Sequence, residues 1–222
     1  MEKHVLVILP HPDDESFSSA GTILKHKQNG TPVTYVCMTL GEMGRNFGNP
    51  PIATRESLPS IRKKEMEEAA QILQIDDLRF LGLHDKTIEF EDFDKVASSI
   101  KEILVELKPS LVITFYPGYA IHPDHDACGE IVMKAVSLLP KKERPVVHAI
   151  AITNNSVADL GKPDIVYEIS EFINQKLLAL KAHTTQMQEV AAVAEQKLKE
   201  GLETEEWIRY ERFWIYDVDK NK

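Results

Sequence analysis

A Rossmann-like, three-layer α/β/α fold with a mostly parallel sheet is predicted for this chain by three observations. Short apolar, β-branched runs recur along it, at residues 5–9, 32–40, 78–81, 111–116 and 146–153. Segments with helical periodicity separate most of them, the alternation expected of a doubly wound sheet. Two of the runs lead directly into polar clusters, as happens where strand carboxyl ends open onto a ligand crevice.

The run Val5-Leu-Val-Ile-Leu9 is apolar without alternation, as a parallel strand buried on both faces requires. A helix over 17–28 follows, with Ile23 and Leu24 facing inward, and Asn29-Gly30 stops it because Gly accepts the left-handed cap conformation. With the strand at 32–40 this makes a right-handed βαβ unit. The rhythm continues with a helix at 59–73, a strand at 78–81, a helix at 93–107 and a strand at 111–116, Pro109 keeping the last two apart. A helix beginning near Asp126 and a strand at 146–153 come next. A Glu/Gln/Ala-rich helix over 171–201 then leads to the aromatic segment 207–216, expected as a last strand or cap on the core. Helix and segment together form a C-terminal extension. Residues 41–58, rich in Gly, Asn and Pro, are too long for an ordinary connection, and such loops at strand ends carry function.

A length of 222 residues with 43% hydrophobic content fits a single domain over 1–222. The net charge of −9, from 26 basic and 35 acidic residues, argues against a nucleic-acid surface. Cys37 and Cys128 are too few for a disulfide framework. The amino terminus lacks the pattern of a signal peptide, and no apolar stretch approaches the roughly 20 residues of a membrane span. A cytoplasmic homo-oligomer without nucleic-acid or membrane partners is therefore expected, and the glycosylation match Asn154-Asn-Ser156 is read as accidental.

The chemistry lies in two clusters, His11-Pro-Asp-Asp-Glu15 and His122-Pro-Asp-His125. Imidazole and carboxylate are the ligands of zinc and related divalent ions. His11 and Asp14, three apart on a turn, face a common centre; one histidine of the second cluster completes a three-ligand site with an open position for water. Asp13 is left free to accept a proton from that water. The remaining histidine can hydrogen-bond a developing oxyanion, oriented by Asp124. Taken alone, acidic residues at a helix start are explained by capping and the helix dipole. A second cluster with the same spacing is hard to explain that way twice. Cys128 reads as a small buried residue rather than a ligand.

These two motifs, in this order and each behind a strand, resemble the signatures of the LmbE/PIG-L family of zinc-dependent N-acetylglucosaminyl deacetylases. The resemblance implies His11, Asp14 and His125 as ligands of Zn2+, with another divalent ion such as Fe2+ compatible. It implies Asp13 as general base, His122 as its electrostatic or acid partner and Asp124 as the companion of His122. Arg62, on Arg62-Lys-Lys-Glu65, matches a substrate-contacting arginine, and Ala182-His183-Thr-Thr-Gln186 resembles a late family element.

The segments Leu40-Gly-Glu-Met-Gly-Arg-Asn46, Arg55-Glu-Ser-Leu-Pro59 and Leu83-His-Asp-Lys86 are similar to those of bacillithiol-biosynthesis deacetylases of the second type. These act on N-acetylglucosaminyl malate, an amino-sugar conjugate whose two carboxylates Arg45, Arg55, Arg62 and Lys86 are placed to meet. Tyr119 stands three residues before His122 where some relatives have a mobile Tyr two before, so an oxyanion role for it is an open expectation. Deacetylation of another N-acylated sugar, a chito-oligosaccharide or a mycothiol-type conjugate, would use the same centre. An inactive metal-binding regulator would keep the ligands, but Asp13 beside them favours an enzyme. A nucleotide-binding module is disfavoured because the turn after the first strand is acidic where phosphate needs N–H groups.

Overall fold

The computed structural model describes residues 1–220. The chain runs through β1 (Val5–Leu9), α1 (Asp14–Ser18), α2 (Ala20–Gln28), β2 (Val33–Cys37), α3 (Leu58–Ile72), β3 (Asp77–Phe80), α4 (Phe93–Leu107) and β4 (Leu111–Phe115). It continues with α5 (Pro123–Ser137), β5 (Val146–Ile150), α6 (Ser156–Leu160), β6 (Ile165–Glu168), α7 (Ile173–Ala182), α8 (Thr184–Lys199) and β7 (Tyr210–Ile215). One seven-stranded sheet results, ordered β3-β2-β1-β4-β5-β7-β6. The first five are parallel, and β7 runs antiparallel to both β5 and β6. The α/β/α expectation and the closing strand from the aromatic segment are thus observed.

Alternate residues of the central strands feed two cores, which is why β1 needs no polar face. Val5, Val7 and Leu9 pack with Ile23 of α2, Met66 and Ala69 of α3 and Ala179 of α7. Leu6 and Ile8 pack with Ile100 and Leu104 of α4 and Ile131 and Val132 of α5. The chain leaves β1 toward β2 on one side while β4 lies on the other. A crevice opens between their carboxyl ends, the topological switch point of the sheet. Both polar clusters emerge there.

Several boundaries differ from expectation, each for a physical reason. The helix expected at 17–28 begins at Asp14 and breaks at Ser19, whose φ is −145°. There the Ser18 and Ser19 hydroxyls donate to the carbonyls of Asp14 and Glu15, competing with the helical ladder. The long helix at 171–201 is two helices, interrupted at His183. The helix expected from Asp126 starts at Pro123, with the His122 ring as its cap: Nδ1 accepts the Asp124 N–H at 3.1 Å. The strand expected at 146–153 ends at Ile150, and α6 and the four-residue edge strand β6 lie where no element was expected.

Candidate active site

Three ligand groups, two imidazoles and a carboxylate, converge at the crevice floor. His11 Nδ1 lies 3.2 Å from His125 Nε2. The Asp14 carboxylate stands 3.5 Å from His11 Nδ1 and 3.3 Å from His125 Nε2. The turn after β1 supplies two of the three, and the Asp14 carboxylate is pinned by the His11 backbone N–H at 2.9 Å. The third comes from the first turn of α5, its ring stacked on Phe115 at the end of β4, centroids 4.1 Å apart and ring planes nearly parallel.

The far side of the His11 ring is equally defined. Its Nε2 faces the Asp124 carboxylate at 3.1 Å and Asp85 at 3.2 Å. With two carboxylates accepting at Nε2, the proton sits there and Nδ1 presents a lone pair to the centre. Asp124 is itself held by the backbone N–H groups of Lys86 and Ile88, at 2.6 and 3.2 Å. The Asp124 side chain thus orients His11, a correction to its expected pairing with His122; only its backbone N–H reaches the His122 ring. Because His122 Nδ1 accepts that N–H, its Nε2 carries the proton.

Asp13 stands beside the three convergent groups. Its backbone adopts φ 108°, a region that L side chains rarely occupy. Its carboxylate accepts from Arg62 at 2.8 Å. Burial pushes Asp13 up to about 6, against the pull of the Arg62 guanidinium. Asp14 goes the other way, down to about 2: burial opposes this, but the His125 and His11 rings outweigh it. Neighbouring carboxylates with separated proton affinities are what acid–base chemistry uses.

The surroundings fit a divalent cation. Asp13, Asp14, Asp85 and Asp124 are all buried, with one buried guanidinium, Arg62, among them. Two imidazole nitrogens face one another across 3.2 Å, close enough to share one proton or one cation. The His11 and His125 nitrogens stand 3.2 Å apart, and one Asp14 oxygen lies 3.5 Å from the first while the other lies 3.3 Å from the second, so one atom from each residue can meet a common ion. His11, Asp14 and His125 are accordingly the set that would hold the ion.

A cavity of about 550 Å³ opens above this floor, lined by His11, Asp13, Asp14, Arg62, His122 and His125 with Arg45, Lys86, Gln186 and Met187 at its walls. The volume is in the range of small-molecule sites. Arg45 and Lys86 are exposed cations at the wall. Arg62 lines the cavity, but its guanidinium is occupied by Asp13 and the carbonyls of Gly41 and Pro12. Gly41, at φ +63°, must be glycine, since a Cβ would run into that guanidinium.

Two expected contacts lie outside the cavity lining. Arg55 clamps the 41–58 loop, donating to the carbonyls of Glu42 and Gly44 and lying over the Phe47 ring. Tyr119 packs edge-on against Tyr116. Sequence reasoning passed over Asp85 and Glu15. Asp85 sits in the Leu83–Lys86 segment, but its partner His11 is 74 positions away and no local spacing signals that. Glu15 closes the first motif and binds His183, whose ring is fully buried on the α7–α8 break. Burial opposes the charge on both, but each partner's charge prevails, leaving Glu15 lowered and His183 raised.

An α/β fold with a His-Asp-His centre and a free carboxylate beside it defines the class as a hydrolase of the metal-dependent type. The chain belongs to the PIG-L family, GlcNAc-PI de-N-acetylase, whose model matches residues 6–136. It is a deacetylase of that family.

It is 51% identical over 223 residues to the "Probable N-acetyl-alpha-D-glucosaminyl L-malate deacetylase 2" of Bacillus anthracis, covering 100% of this chain and 99% of that protein. The protein of the same name from Bacillus subtilis strain 168 is 49% identical over 217 residues, covering 97% and 98%. Among solved structures, the N,N'-diacetylchitobiose deacetylase of Pyrococcus horikoshii superposes with a TM-score of 0.74 at 26% identity, covering 98% of this chain and 85% of that one. No helix among the described residues is long and apolar enough to cross a membrane.

Proposed function

We propose that this protein removes the N-acetyl group from N-acetylglucosaminyl malate, using a zinc ion held by His11, Asp14 and His125. The observation that carries the reading is Asp13, a buried carboxylate outside the ligand set and beside it, in a chain half identical to relatives bearing that activity in their names. The ion, when bound, supplies Lewis acidity toward the water and the amide carbonyl.

The chain's own groups do the rest. Asp13 accepts the proton of the attacking water, and Arg62 keeps its carboxylate oriented. His122, with its proton on Nε2, donates to the carbonyl oxygen as negative charge develops there. The proton held by Asp13 then passes to the departing amine. Asp124 and Asp85 fix the His11 tautomer and orientation throughout.

This machinery serves any N-acetylglucosamine, so choice of aglycone belongs to the cavity wall, where Arg45 and Lys86 would meet the malate carboxylates. A charge-assisted contact contributes about 1.5–3 kcal/mol, hence roughly 10- to 100-fold in kcat/KM. N-acetylglucosaminyl malate is expected to exceed free N-acetylglucosamine by that factor. Arg45→Ala and Lys86→Ala should erode the preference while sparing the free sugar, and raised salt should do the same. Arg55→Ala should act only indirectly, by loosening the loop that carries Arg45. Equal efficiency on the two substrates would remove malate from the proposal.

A further inference from the structure

His183 is fully buried where α7 gives way to α8, and its Nε2 lies 2.6 Å from Glu15 Oε1. Glu15, also fully buried, turns its other oxygen to the backbone N–H of Asp13 at 3.1 Å. The Ser16 hydroxyl completes the shell of the Glu15 carboxylate. Asp13 is thus gripped twice, its carboxylate by Arg62 and its main chain by Glu15. The second grip bears on the residue at φ 108°. A backbone in that region relaxes unless its surroundings over-determine it, and such residues gather where position matters to function.

We propose that His183 and Glu15 form a clamp on the Asp13 main chain and so act as positioning residues for the base, an inference resting on the reading of Asp13 as that base. His183 holds the Glu15 carboxylate in place; Glu15 holds the Asp13 N–H; and with Arg62 on one carboxylate oxygen, the Asp13 side chain is fixed beside the three ligand groups. Neither residue lines the cavity or meets the three convergent ligand atoms. The clamp therefore belongs to turnover and not to binding. The clamp ties the break between the C-terminal helices to the first motif, 168 positions away in the chain.

The test is a double-mutant cycle on the whole protein, scored by acetate release, metal content and KM. A Gln side chain carries an amide N–H about where imidazole Nε2 sits, whereas Asn stops short, near Nδ1. His183→Gln should keep kcat within about threefold, and His183→Asn should lose roughly tenfold or more with KM and metal content unchanged. In an Asp13→Asn background, exchanging His183 for Asn should cost less than about twofold, because its only route to the chemistry is already cut. An equal loss in both backgrounds, or loss of metal or a raised KM in His183→Asn, would overturn the clamp. Near-normal kcat in Asp13→Asn alone would instead overturn the reading of the base. Should His183→Asn fail to fold, His183→Gln still decides, and a loss well beyond threefold overturns the proposal.

Discussion

Asp13→Asn is expected to lower kcat by roughly 10²–10⁴-fold while the protein keeps its metal and its KM. The substitution preserves shape and the hydrogen bond from Arg62, but the amide cannot take a proton. Asp14, one residue on, is directed at His11 and His125 and cannot substitute; against the opposing effect of burial, the two imidazoles beside it hold it far down the carboxylate range. His122→Ala should show a loss of the same order by a different route, removal of the Nε2–H donor from the developing oxyanion. Steady-state kinetics with metal analysis of both variants checks this. Turnover near the wild-type rate in Asp13→Asn would assign the base elsewhere.

The largest expected effect on stability lies behind the site. Lys176 and Glu211 form a fully buried ion pair at 2.7 Å. Glu211 also receives the backbone N–H groups of Gly21 and Thr22 and the Thr22 hydroxyl, so it caps α2 from the other end of the chain. Lys176 additionally donates to the Phe17 carbonyl and lies over the Trp207 ring. Removing one partner strands a buried charge, at a cost of about 3–5 kcal/mol. Glu211→Ala should therefore lower Tm by roughly 6–20 °C for a chain of this size. Lys176→Met with Glu211→Gln should cost less than the sum of the single changes, since no charge is left alone. Thermal denaturation of Glu211→Ala, of Lys176→Met and Glu211→Gln singly, and of their combination gives the result; additive losses would mean that the two groups do not act as a pair.

Local patterning carried most of the fold. The helix expected near 93–107 is observed there, because its apolar periodicity is local and the Asp92 cap stands directly before it. The two helix breaks were not legible because the local Ser18 and Ser19 back-bonds are a weak signal and the partners that satisfy the freed ends are remote. The freed N–H groups of α2 are satisfied by Glu211, and the N-terminus of α8 by Glu65, whose carboxylate takes the Thr185 N–H and hydroxyl. Nothing near Ser19 or His183 in the sequence announces these partners. The same holds in the site. The two motifs were visible as strand-end clusters, and the structure brings their histidines and carboxylates together. The partners that aim them, Asp85 on His11 and Glu15 on Asp13, are set by contacts no spacing rule reaches. Arg55 shows the converse: a cation on a functional loop whose work is to shape that loop.

The central claim, a deacetylase whose metal sits among His11, Asp14 and His125, is tested most directly by titrating metal-free protein with zinc and measuring acetate released from N-acetylglucosaminyl malate. The expected result is no release from the chelated protein, then activity rising with added zinc to a plateau at about one ion per chain. Asp14→Ala and His125→Ala should neither bind the ion nor respond to it. Undiminished acetate release from the fully chelated wild-type protein would contradict the account.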